Sequence, residues 1–212
     1  MQQHSKPEQM ILEIAETSRS RVIASSSLNF QIELIEHVGE EDIPQLILIS
    51  QHLEDEFDES ARLTKSSIRK YFNYPYTLPF IARHHGEIIG FIIGVPLEYF
   101  SNDPSFQCDE NIGAKNTLYT YAFVVMAKFK GNGYAKTLKR VYLSWAKKKG
   151  FKYVTGHVQE GVSKRFTGDI RILARFENWH GTNKTFEYYR RTIQPAGHAQ
   201  IISKDPPLVS KI

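Results

Sequence analysis

Polar and apolar residues alternate from Asn29 to His37, with Phe30, Ile32 and Leu34 on one face, and this predicts a first strand. The period then lengthens. From Glu40 to Phe57, Ile43, Leu46, Ile47, Leu53 and Phe57 keep helical spacing behind an acidic first turn with Pro44 near its start. A shorter helical pattern covers Leu63 to Phe72, after the acidic loop Glu54 to Ser60. Two β-rich runs, Phe80–Arg83 and Glu87–Val95, flank His84-His85-Gly86 and read as a hairpin that Pro96 closes. Thr117 to Met126 is a third strong strand. Gly133 to Gly150 is a basic helix whose apolar face carries Tyr134, Leu138, Val141, Tyr142 and Trp145, and Phe151 to His157 is the strand after it. That strand-turn-helix-strand unit has the length needed to join parallel neighbours.

Outside this core the pattern weakens. Residues 1–27 read as a polar extension with a short helix at Glu8 to Ala15, residues 28–204 as a single domain, and 205–212 as a tail after Pro206-Pro207. Gly197 to Lys204 is expected to supply a last strand. At 212 residues, with 41% hydrophobic and 12% aromatic content, the chain can bury a real core. A single cysteine, Cys108, excludes an intramolecular disulfide framework and suits a reducing compartment, with the cytoplasm as the default. No secretory signal or membrane-spanning run is visible, so a soluble protein with no membrane partner is expected.

Charge is segregated along the chain. Asn111 to Gln159 holds ten basic residues and no Asp or Glu, whereas Val22 to Ala61 holds ten acidic residues and no Lys or Arg. One half therefore favours anions and the other cations. The basic half points most sharply at Val124-Val125-Met126-Ala127-Lys128-Phe129-Lys130-Gly131-Asn132-Gly133-Tyr134-Ala135, an apolar strand entering a glycine turn and a helix. A helix N-terminus presents unpaired N–H groups and a positive dipole end, which together hold phosphate. An ordinary strand-to-helix turn competes with this reading. The spacing excludes a Walker A loop, and Lys136 stands where a dinucleotide fingerprint needs a third small residue.

The segment Lys130-x-x-Gly133-x-Ala135 resembles the Arg/Gln-x-x-Gly-x-Gly/Ala signature of the GNAT superfamily of acetyl-CoA-dependent N-acyltransferases, with Lys in place of Arg or Gln. The resemblance implies an α/β fold with a mixed, mostly antiparallel central sheet, flanked by helices, in which one parallel strand pair splays around the cofactor. It implies that Lys130, Gly131, Asn132, Gly133, Tyr134, Ala135 and Lys136 cradle the coenzyme A pyrophosphate. It also implies that Phe123 to Met126, with Val124, Val125 and Met126 foremost, face the pantetheine arm. Asn183 to Tyr189 resembles the family's helix bearing a coenzyme-contacting Asn and a downstream Tyr near the thiol. The tyrosines here stand one residue closer, a rotation of about 100° on a helix, so either Asn183 is not the contact or Tyr188 takes the part of Tyr189. The long stretch Gln159 to Thr182 reads as an insertion near the acceptor site.

The implied activity is acetyl transfer from acetyl-CoA to a primary amine through direct attack in a ternary complex. Its alternative is a non-catalytic acyl-CoA sensor on the same fold. Tyr189, with Tyr188 in reserve, is the expected proton donor, and Glu160, His157 and Glu98 are candidate bases at predicted strand ends. The backbone N–H groups of Val124 to Met126 are placed to polarise the thioester. In this family the connection between the first two helices borders the acceptor cleft. Glu54, Asp55, Glu56, Asp58 and Glu59 would then face a cationic acceptor, a small amine, amino acid or basic peptide. No metal is implied, since eight histidines occur without ligand spacing. Cys108 has no fixed base near it in sequence. Nucleic acid is a distant third partner because Tyr142 and Trp145 fall on the apolar face, and a homodimer is left open.

Overall fold

The protein is described by a computed structural model over residues 16–26, 29–55 and 57–194. Eight strands form one sheet in the order β1-β2-β3-β4-β5-β6-β8-β7. These are β1 (Arg19–Ser25), β2 (Phe30–His37), β3 (Leu78–His84), β4 (Glu87–Pro96), β5 (Thr117–Val125), β6 (Tyr153–Gln159), β7 (Ile170–Phe176) and β8 (Phe186–Thr192). Every neighbouring pair is antiparallel except β5 and β6, which are parallel and joined through helix α3 (Tyr134–Lys148).

Helices cover both faces. Helices α1 (Ile43–Ser50) and α2 (Lys65–Asn73) pack on one, where Leu46, Ile49, Ile68 and Phe72 meet Ile81, Phe91 and Ile93. On the other, Leu138, Tyr142 and Ala146 of α3 meet Phe80, Ile92, Leu118 and Val154. Helix α2 starts on a capping box between Thr64 and Ser67. Asp42 stands at the N-cap of α1 without capping it, because its carboxylate accepts from Arg83 at 2.7 Å. The helix expected over Glu40 to Phe57 is accordingly shorter. It ends at Ser50, whose hydroxyl bonds the Ile47 carbonyl and accepts from the Leu63 N–H, and a 3₁₀ turn follows over Gln51–Leu53.

Two further expectations are corrected and a third gains detail. Asn183 to Tyr189 is not helical: Asn183 lies in a loop with φ 55°, and residues from Phe186 form β8, paired along its length with β6. The stretch from Gln159 to Thr182, expected as an insertion near the acceptor site, contains an edge strand, β7. The sheet also begins ahead of β2, because Arg19–Ser25 pairs with it as an exposed edge strand. The short helix expected at Glu8 to Ala15 and the strand expected at Gly197 to Lys204 lie outside the described residues.

Two irregularities position the site. Strands β5 and β6 pair only over Thr117–Tyr119 and Tyr153–Thr155 and then part. In the same region β5 bulges, since Thr120 faces Gly94 and Ala122 faces Ile93, which leaves Tyr121 without a cross-strand partner.

Candidate active site

A cavity of about 1080 Å³ runs through the gap where β5 and β6 part. Its inner walls are Tyr119, Thr120, Tyr121, Ala122 and Phe123 of β5 and Gly156, His157 and Val158 of β6. On the α3 side it is closed by Lys136, Lys139, Arg140 and Leu143, with Arg165, Phe166 and Arg191 opposite. On the α1–α2 side Leu53, Phe57, Asp58 and Leu63 line it, with Trp179 and His180 from the loop ahead of β8.

The turn before α3 leads into the helix whose Lys136, Lys139 and Arg140 line the cavity, although none of residues 130–135 lines it. Gly131 (φ 85°) and Gly133 (φ 76°) both adopt left-handed backbone, and a Cβ built on either meets nothing within 4 Å. Gly133 is the N-cap and makes no side-chain cap; the first helical bond runs from the Thr137 N–H to the Gly133 carbonyl. The first-turn N–H groups therefore face outward without a side-chain acceptor, the arrangement a pyrophosphate requires. Lys130, Asn132, Ala135 and Lys136 are exposed there, and Asn132 donates to the Phe129 carbonyl at 3.2 Å. Tyr134 instead turns its ring inward and stacks on Phe30 at 4.3 Å. Acetyl-CoA thus fits the residues present at this end.

The strand residues expected to meet pantetheine are less open. Val124 is buried among the α1–α2 core, Val125 packs against the α3 core, and the Met126 N–H already donates to the Ile89 carbonyl at 2.9 Å. The free edge of β5 lies nearer Thr120, where β6 has diverged.

Because β8 is a strand, its two tyrosines point to opposite faces. Tyr188 is enclosed and donates to Asp109 Oδ2 at 2.9 Å, which raises its pKa together with burial, and it does not line the cavity. Tyr189 does line it, lying over Gly156, where an added Cβ would sit 3.2 Å from its ring. Burial pushes its phenol up to about 12, against a hydrogen bond with Thr120 and the charge of Arg191. Glu160 is exposed and pairs with Arg175 at 3.4 Å, outside the cavity lining. Asn183 is likewise exposed, its N–H donating to Asn178 Oδ1.

Of the acidic run, Asp58 alone lines the cavity among the described residues. Glu54 pairs with Arg62 at 3.8 Å, and Asp55 contributes its backbone carbonyl to Lys184 Nζ at 3.1 Å. The run was expected to face the acceptor as a block, but among its described residues only Asp58 reaches the cavity wall.

His157 is only 6% exposed, with Nδ1 at 3.0 Å from the Tyr119 hydroxyl and its ring stacked on Trp179 at 4.2 Å. Nε2 is enclosed without a hydrogen-bond partner, and burial lowers the imidazole pKa to about 3. Lys139 was not anticipated. Its ammonium lies 5.4 Å from the Phe123 and Tyr142 rings, and desolvation, followed by the charge of Arg191, lowers its pKa to about 7. The signal was present in α3, because Lys136, Lys139, Arg140 and Leu143 follow i, i+3, i+4, i+7 spacing beside the apolar stripe.

A family model described as the acetyltransferase (GNAT) family matches residues 46–165. No curated protein matches the chain by sequence. Among solved structures, the ribosomal-protein-S18-alanine N-acetyltransferase from Escherichia coli is similar at TM-score 0.56 and 12% identity, covering 81% of this chain and 98% of its own. Ard1 from Thermoplasma volcanium is similar at TM-score 0.56 and 16% identity, covering 79% and 99%. An aminoglycoside 6'-N-acetyltransferase complexed with coenzyme A gives TM-score 0.54 at 13% identity, covering 79% and 99%. At these identities the likeness is one of fold.

Proposed function

The chain belongs to the acetyltransferase (GNAT) family, and we propose that it transfers an acetyl group from acetyl-CoA to a primary amine by direct attack in a ternary complex. The observation that carries this reading is the uncapped start of α3, with Gly131 and Gly133 at positive φ, leading into a helix that lines a cavity between diverging parallel strands.

Acetyl-CoA supplies an activated thioester when bound. The first-turn N–H groups of α3, with Lys130 and Lys136, hold its pyrophosphate. The free edge of β5 between Thr120 and Phe123 lies along the pantetheine arm and offers backbone groups to the thioester carbonyl. Met126 is set aside from that role because its N–H is already bonded.

Transfer forms a C–N bond, breaks the C–S bond and leaves one amine proton on sulfur. Tyr189 stays protonated across neutral pH and donates a hydrogen bond toward the departing thiolate. Neither Glu160, paired at the surface, nor His157, with its basicity suppressed and Nε2 enclosed, is suited to deprotonate an alkylammonium. The cavity itself does this work, since desolvation disfavours the charged amine and admits the neutral one.

The test is thiol release from acetyl-CoA with an amine panel, using wild type and Tyr189→Phe. Loss of the hydroxyl should lower kcat about 100-fold with acetyl-CoA affinity unchanged. An unaltered kcat would return Tyr189 to a packing role, and coenzyme binding without turnover on any amine would identify a sensor instead.

A further inference from the structure

The α1–α2 end of the cavity has largely apolar and aromatic walls, with His180 beside Trp179. Leu53, Phe57, Leu63, Tyr121 and Trp179 surround it, and Asp58 is the single carboxylate among the described lining residues. The end is also spanned by protein, because Lys184 Nζ donates to the Asp55 carbonyl and so ties the loop ahead of β8 to the connection between α1 and α2. Asp58 holds φ 146°, backbone that L-residues rarely adopt, at the edge of this space.

These walls discriminate by charge count. A polyamine or basic peptide would carry several ammonium groups into a wall with one carboxylate among its described residues, and each uncompensated buried charge is costly. A compound with one amine and a flat apolar body gains on both counts. Its body removes apolar and aromatic surface from water against Phe57, Tyr121 and Trp179. Its amine, drawn into the same dry space, is shifted toward the neutral form that attacks a thioester.

We infer that the acceptor is a small monoamine carried on an aromatic body, an arylalkylamine, and not a polyamine or a basic peptide. This rests on the acetyl-transfer reading above. It narrows the acceptor that the acidic run alone suggested, because only Asp58 of that run lines the cavity.

The experiment measures kcat/KM with acetyl-CoA for phenethylamine and tryptamine against spermidine and a lysine-rich peptide, on wild type, Trp179→Ala and Trp179→Phe. Direct titration of phenethylamine into the protein with coenzyme A is run beside it. The aromatic amines should lead by at least about tenfold, and Trp179→Ala should raise their KM about tenfold while Trp179→Phe largely restores it. Acetyl-CoA binding unchanged in both variants reports an intact fold. Spermidine or peptide leading by the same margin would overturn the acceptor class and leave acetyl transfer standing. Saturable phenethylamine binding with no turnover of any amine would do the reverse, keeping the class and removing the transfer reading.

Discussion

His157 couples the cavity wall to pH. Its imidazole is stacked on Trp179, met edge-on by Phe106 and Phe176, and held neutral by burial, with a pKa of about 3 against an ordinary value of 6.5. Between those values the unfolded chain binds a proton that the native state refuses, so native stability falls as pH drops through that window. Thermal unfolding from about pH 7 to about pH 4 should therefore show a steep loss for wild type and a shallower one for His157→Phe. Parallel curves would mean that another group governs the acid limb. His157 was legible as a candidate only because it ends a predicted strand. Its partners Tyr119, Phe106 and Trp179 come from three distant segments, and no local pattern announces such a box.

The elements differ in how far their own sequences declare them. The hairpin β3–β4 is marked by two apolar, β-rich runs around a turn, strand β5 by its apolar run and helix α3 by its 3.6-residue period, and all appear where the pattern places them. Strand β8 does not, because Glu187-Tyr188-Tyr189-Arg190 is buried on both faces and shows no alternation. Its strand state comes from tertiary pairing with β6 and β7 and from a buried anchor. Asp109 accepts from Tyr188 at 2.9 Å and from Arg190 Nη2 at 3.0 Å, with its own side chain fully enclosed. Removing that carboxylate strands a largely buried guanidinium, so Asp109→Ala should cost about 3–5 kcal/mol in denaturant unfolding. A loss below about 1 kcal/mol would show that Glu110, which also accepts from Arg190, suffices as the anchor. Strand β1 escaped notice for the opposite reason. It is an exposed, polar edge whose place depends wholly on β2.

At the scale of the whole molecule, the segregation of charge along the chain becomes a polarity of the cavity. Lys136, Lys139, Arg140, Arg165 and Arg191 face its α3 half, while Asp58 is the one carboxylate among the described residues lining the other. Such a distribution favours an anionic group at one end of the cavity and a cationic one at the other. The turn before α3 was readable because it is contiguous in sequence, and the opposite end was not, because the α1–α2 connection, β5 and the loop ahead of β8 build it together. The central claim is that the turn before α3 holds the coenzyme. The most direct test is calorimetric titration with acetyl-CoA, desulfo-CoA and NAD on wild type and Gly133→Glu, whose side chain would strain the left-handed backbone and set a carboxylate against the pyrophosphate. Binding of the two CoA compounds alone, abolished in the variant, is the expected result. Wild-type protein that binds neither CoA compound, or a variant that binds them as well as wild type, would contradict it.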